Sequence, residues 1–188
     1  MTTYKGIKGF TAQTLSSDPT TASSVGQIYY NSTSNVFKYV QPGGGAWSSG
    51  GALNTATSDT GGAGIQTAAL ATGGNPGAKT KTEIYDGSSW TEVGDLNLGR
   101  YGLVADGTTT ASVAFGGALA NNTNKNETEI WNGTAWTEVN NLNTARRLLN
   151  GAGISTSALA FGGRTPGGAS VATEEWTVAN AVKTVDLS

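Results

Sequence analysis

The side chains best equipped for chemistry are four glutamates. Glu83 and Glu92 recur 46 residues later as Glu129 and Glu138, within TEIYDGSSWTEVGDLNLGR (82–100) and TEIWNGTAWTEVNNLNTAR (128–146), which agree at 11 of 19 positions. Paired carboxylates suit glycoside hydrolysis, in which one acid with a raised pKa protonates the leaving oxygen and the other attacks or activates water. That chemistry needs two acids in unlike surroundings. Acids at equivalent positions of a repeat are expected in equivalent surroundings, so strand-edge or inter-repeat polar contacts are the favoured role. Cys and His are both absent. A thiolate zinc site, a catalytic Cys and a Ser-His-Asp triad are therefore excluded, and the usual proton shuttle near pH 7 is missing. The expectation is a protein that is not an enzyme, with no catalytic residues, cofactor or metal. A carboxylate-based polysaccharide depolymerase is the enzymatic alternative.

The elements that position these acids follow from the spacing. Trp47, Trp90 and Trp136 are each followed six residues later by Leu53, Leu96 and Leu142, then by Asn54, Asn97 and Asn143. A glycine pair begins 26 residues after each Trp: Gly73-Gly74, Gly116-Gly117 and Gly162-Gly163. Each pair closes an apolar run (TAALATGG, ASVAFGG, SALAFGG), and extended segments then end at Tyr85, Trp131 and Trp176. The period is 43 and then 46 residues, as in a repeat protein. Asp86-Gly87 and Asn132-Gly133 predict tight hairpin turns, and no window has the period of a capped helix. The fold class expected is all-β, with four strands per repeat. The third repeat departs from this after Trp176, although 182–187 still alternates like a final strand.

Composition agrees with many short strands. Of 188 residues, 37% are hydrophobic and 13% charged, with 28 Gly and 4 Pro. The net charge of −2 and a longest basic run of Arg146-Arg147 show no nucleic-acid footprint. Nothing approaches the ~20 apolar residues of a membrane helix, so no membrane insertion is expected. The N-terminus lacks the apolar core of a signal peptide, which suggests synthesis in a cytoplasm. Residues 1–45 differ in composition from the rest. Roughly 1–24 reads as an extended arm, and GQIYYNSTSNVFKYV (26–40) reads as a hairpin around Ser32–Asn35. The division expected is 1–45, an anchoring arm and hairpin, and 46–188, the repeat domain.

The Gly-Gly pair, the Tyr or Trp, the next Trp and a following Arg together resemble the kelch repeat. The matching residues are Gly73-Gly74, Tyr85, Trp90 and Arg100, then Gly116-Gly117, Trp131, Trp136 and Arg146. The resemblance implies four-stranded, propeller-like blades over 47–176. Closed propellers have at least ~4 blades, so about three repeats imply a homo-oligomer. A β-trefoil or β-prism with threefold pseudo-symmetry is the alternative. MTTYKGIKGF and the hairpin segment are similar to N-terminal segments of bacteriophage virion proteins, especially tail-fibre-like and other surface structural proteins. Residues 1–45 would then anchor the chain to other virion proteins, and the repeats would be displayed as a tail fibre, adhesin or capsid decoration. Host-surface glycan binding by a carbohydrate-binding module is the other alternative. Trp47, Trp90, Trp136 and Trp176 have the ring faces for sugar stacking, but an aromatic fixed in each repeat also fills the space between packed sheets. The loops after the glycine pairs vary, and Asn121, Asn122, Asn124, Lys125 and Arg164 are the candidates for partner or glycan contact.

Overall fold

The computed structural model describes residues 13–19, 26–41 and 43–179. Among them there is no helix, and the all-β expectation is borne out. The chain divides into two compact units, residues 1–48 and 49–188.

In the first unit, β2 (Ile28–Asn31) and β3 (Val36–Tyr39) form the expected hairpin. Asn31 Oδ1 accepts the Thr33 and Ser34 amides at 3.0 and 2.9 Å, which tightens the turn. β1 (Gln13–Leu15) lies parallel to β2, within the segment expected to be an arm. Its order follows from Asp18, which accepts the Tyr29 hydroxyl, the Asn31 amide and the Lys38 ammonium at 2.7–2.9 Å. The rest of the arm, residues 1–12 and 20–24, lies outside the described residues.

The second unit contains three successive antiparallel sheets. Sheet I is β4 (Gly61–Ile65), β5 (Ala68–Thr72), β6 (Thr82–Tyr85) and β7 (Trp90–Glu92). Sheet II is β8 (Val104–Gly107), β9 (Ser112–Phe115), β10 (Thr128–Trp131) and β11 (Trp136–Val139). Sheet III is β12 (Asn150–Ile154), β13 (Ser157–Phe161) and β16 (Thr173–Thr177), with β14 (Arg164–Thr165) and β15 (Gly168–Ala169) forming a small hairpin in its variable loop. Sheet III has three strands where four were expected, and the candidate fourth strand at 182–187 lies outside the described residues. Among the described residues no sheet closes into the barrel that the β-trefoil alternative requires.

Strand alternation gives each sheet two faces. On the leading face of sheet I, Leu70 pairs with Ile84 and Thr72 with Thr82; on the trailing face, Ala69 pairs with Tyr85 and Ala71 with Glu83. The leading face of sheet I packs on the trailing face of sheet II, where Leu70 meets Ala105, Ala114, Trp131 and Trp136 in one buried cluster. Sheet II repeats this on sheet III through Val113, Phe115, Ala158 and Ala160. Each such fully buried large side chain contributes about 1.5–3 kcal/mol. β8 packs against both β4 and β12, so adjoining sheets stack face to face and do not form the walls of a prism.

The glycine pairs permit this stacking. Gly73 and Gly116 share a left-handed φ of +68°, and Gly162 has +66°. A Cβ on Gly73 would lie 2.6 Å from the Arg100 carbonyl oxygen and 2.7 Å from Leu103 Cδ2. Only glycine satisfies both the conformation and the close approach.

Candidate functional site

The repeated carboxylates sit where the connector between sheets docks on the trailing face of the next sheet. Glu129 is 1% exposed. Its Oε2 accepts the Asn97 backbone N–H at 2.8 Å and the Asn97 side-chain amide at 2.9 Å. Its Oε1 accepts Arg100 Nη2 at 3.0 Å. The same Arg100, fully buried, also donates to the carbonyls of Gly116 and Glu127. Burial lowers the guanidinium pKa, while the Glu129 and Glu127 carboxylates act to raise it. In sheet III, Glu174 accepts Asn143 N–H at 2.6 Å and Arg146 Nη2 at 3.0 Å. Arg146 also reaches the carbonyls of Ala160, Gly162 and Ala172. Carboxylates held this way have little open surface for a substrate.

Glu83 corrects the expectation of equivalent surroundings. Thr57 stands at the repeat position of Arg100 and Arg146, so no guanidinium reaches this acid. Glu83 instead accepts Asn54 N–H at 2.8 Å, the Asn54 side-chain amide at 3.0 Å and Thr55 N–H at 3.1 Å. A small pocket lined by Thr57, Gly73, Lys79, Lys81 and Glu83 marks the place an arginine would occupy. Lys79 donates to the Ala56 carbonyl at 2.6 Å, and Lys81 pairs with Glu92. Glu138, the remaining acid of the set, is exposed.

The aromatics are used in the same junctions. Trp131 and Trp136 pack with their rings tilted by 40° and centroids 5.4 Å apart, and Tyr85 and Trp90 with a tilt of 35° at 5.1 Å. Trp136 Nε1 donates across the junction to Thr82 Oγ1 at 2.9 Å. Trp131, Trp176 and Trp90 donate to the carbonyls of Thr109, Ser155 and Gly51. Trp47 is fully exposed.

Several loop candidates converge at one edge. Asn124 Nδ2 donates to the Arg164 carbonyl at 2.8 Å. Arg147 Nη1 donates to the Asn122 carbonyl at 2.7 Å and to Asn124 Oδ1 at 3.2 Å. Tyr101 OH pairs with Asn122 Oδ1. Asn121 stands apart in a turn, where it accepts Thr123 N–H at 3.1 Å, and Lys125 is tied to Glu127. Asn122, Asn124 and Arg164 are thus brought together by Arg147, which sequence reading passed over. Sequence reading also missed Glu174 as a junction acid. Its signal was available, since Thr82-Glu83, Thr128-Glu129 and Thr173-Glu174 all precede an aromatic. No group of three potential metal ligands occurs among the described residues. No protein-family model and no curated protein matches the chain.

Proposed function

We propose that the chain is a non-enzymatic structural protein of a bacteriophage particle. Its N-terminal unit anchors it to other virion proteins, and its kelch-like sheets form an exposed, oligomeric domain. The observation that carries this reading is the use made of the repeated residues. Glu129, Glu174, Arg100, Arg146 and Trp136 are spent on joining connectors to sheets and sheets to one another, which is the work of a scaffold. The variable loops remain the surface offered to the outside.

The N-terminal sheet supports the anchoring role. Ile28 and Tyr39 lie on one of its faces at 62% and 67% exposure. An apolar face on so small a sheet suits docking on another protein. The test is antibody labelling of intact, gradient-purified particles. Label at fixed positions on tail or capsid is expected, and particles that lack the chain overturn the reading. A glycan-binding role would instead centre on Asn122, Asn124 and Arg164, and a glycan array with no binding removes it.

A further inference from the structure

The junction between sheets is made twice in the chain and then stops with both of its halves present. In each junction the leading face brings Leu70, or Val113 and Phe115, and the trailing face brings small residues on its inner strands with a Trp on its third strand. A Cβ on Gly151 would stand 2.6 Å from Val104 Cγ1 and 2.8 Å from Phe115 Cζ. At the positions of Val113 and Phe115, which are 0% and 2% exposed, sheet III presents Leu159 and Phe161 at 39% and 38%. Thr173 is likewise exposed, whereas its counterparts Thr82 and Thr128 are buried. At the opposite end, Gly62 on sheet I is exposed, whereas its counterpart Ala105 is buried. A Cβ on Gly62 would meet nothing nearer than 3.8 Å. One end of the chain carries a leading face whose Leu159 and Phe161 are uncovered, and the other end carries a trailing face with Gly62 uncovered.

The backbone tells the same story. Gly102 N–H donates to the Asp59 carbonyl at 2.8 Å, and Leu148 N–H donates to the Gly102 carbonyl at 2.7 Å. Asp59, Gly102 and Leu148 share one repeat position and one left-handed conformation, with φ of 53°, 61° and 51°. Among the described residues, the Asp59 N–H has no backbone acceptor and the Leu148 carbonyl has no backbone donor. The series ends in one open donor and one open acceptor.

We propose that a second copy of this chain occupies both ends. The leading face of sheet III in each copy packs on the trailing face of sheet I in the other, which closes a ring of six sheets about a two-fold axis. Such head-to-tail contacts form closed rings when the rotation per copy completes a circle. Two copies give six sheets, within the typical four to eight of closed radial arrays, whereas three copies would give nine. The inference rests on the oligomer part of the reading above. Its test uses purified full-length protein, so its outcome is independent of whether the chain is found on a particle.

Because the chain contains no Cys, engineered pairs report cleanly. Asn150 occupies the position of Val104, which meets Gly151, and Gly62 occupies the position of Gly151. Under mild oxidation, neither Gly62→Cys nor Asn150→Cys alone should cross-link to itself. The two mixed should give a covalent dimer of twice 19.0 kDa, and the double variant should stop at that dimer. Native mass spectrometry of the unaltered protein should show the same dimer. Phe161→Asp, at a half-exposed site, should weaken association at least tenfold with an unchanged circular dichroism spectrum. A monomer for the unaltered protein, self-linking of either single variant, or a ladder beyond the dimer would each overturn the proposal.

Discussion

Replacing Arg100 with Met removes the guanidinium from the I–II junction and leaves its partner in place. Glu129 would keep its two Asn97 bonds but remain 1% exposed beside no cation. The Gly116 and Glu127 carbonyls would also lose a donor. Breaking one side of a buried ion pair costs about 3–5 kcal/mol. For a chain of this size each kcal/mol lowers Tm by about 2–4 °C, so a drop of roughly 6–20 °C is expected. Arg146→Met should cost less, because Glu174 is 13% exposed and water solvates the stranded charge. Urea unfolding followed by tryptophan fluorescence, at one fixed protomer concentration because association shifts apparent stability, measures both. The double variant Arg100→Met/Glu129→Gln should recover part of the loss, with a coupling of about 0.5–3 kcal/mol. A loss below about 1 kcal/mol for Arg100→Met, or strict additivity in the double variant, would refute the junction as the site where the buried pair acts.

Other outcomes follow from single residues. Gly73→Ala forces a Cβ onto a left-handed backbone against Leu103, and thermal melting should show a loss of at least roughly 1–3 kcal/mol. Burial raises the carboxyl pKa of Asp106, and its Oδ2 has no partner among the described residues. A raised acid leaves the fold relatively more stable below the unfolded value of about 3.9 and less stable as pH rises through the folded value. Asp106→Ala should therefore raise Tm at pH 7, with the gain disappearing below about pH 4; an equal gain at all pH values contradicts this. Lys38, Tyr29 and Asn31 hold Asp18 down to about 2. Its stabilising effect is present above the unfolded value and lost as pH falls through about 2. Carbon-detected NMR titration should show that midpoint and an upward move in Lys38→Met.

Much of the repeat unit was legible because its anchors keep one register. Trp90, Leu96, Asn97, Arg100 and Gly116 recur as Trp136, Leu142, Asn143, Arg146 and Gly162, and the three sheets follow that register. The pairing of Arg100 with Glu129 was harder to see. The two lie 29 residues apart, and repeat spacing alone does not say which acid the arginine meets. The expectation that Glu83 and Glu129 share surroundings failed at one residue, Thr57, which was visible in the register but not compared with Arg100. β1 was hidden because its order comes from contacts around Asp18, and no apolar alternation marks it. The loop edge around Arg147 was hidden for a similar reason, since two loops from different repeats meet there.

Cryo-electron microscopy of intact particles tests the structural role most directly. The expected density shows the repeat sheets standing outside the particle at a fixed copy number, with the N-terminal sheet seated against a neighbouring virion protein. Purified particles devoid of this chain, with the protein found only free in the lysate, would contradict that role.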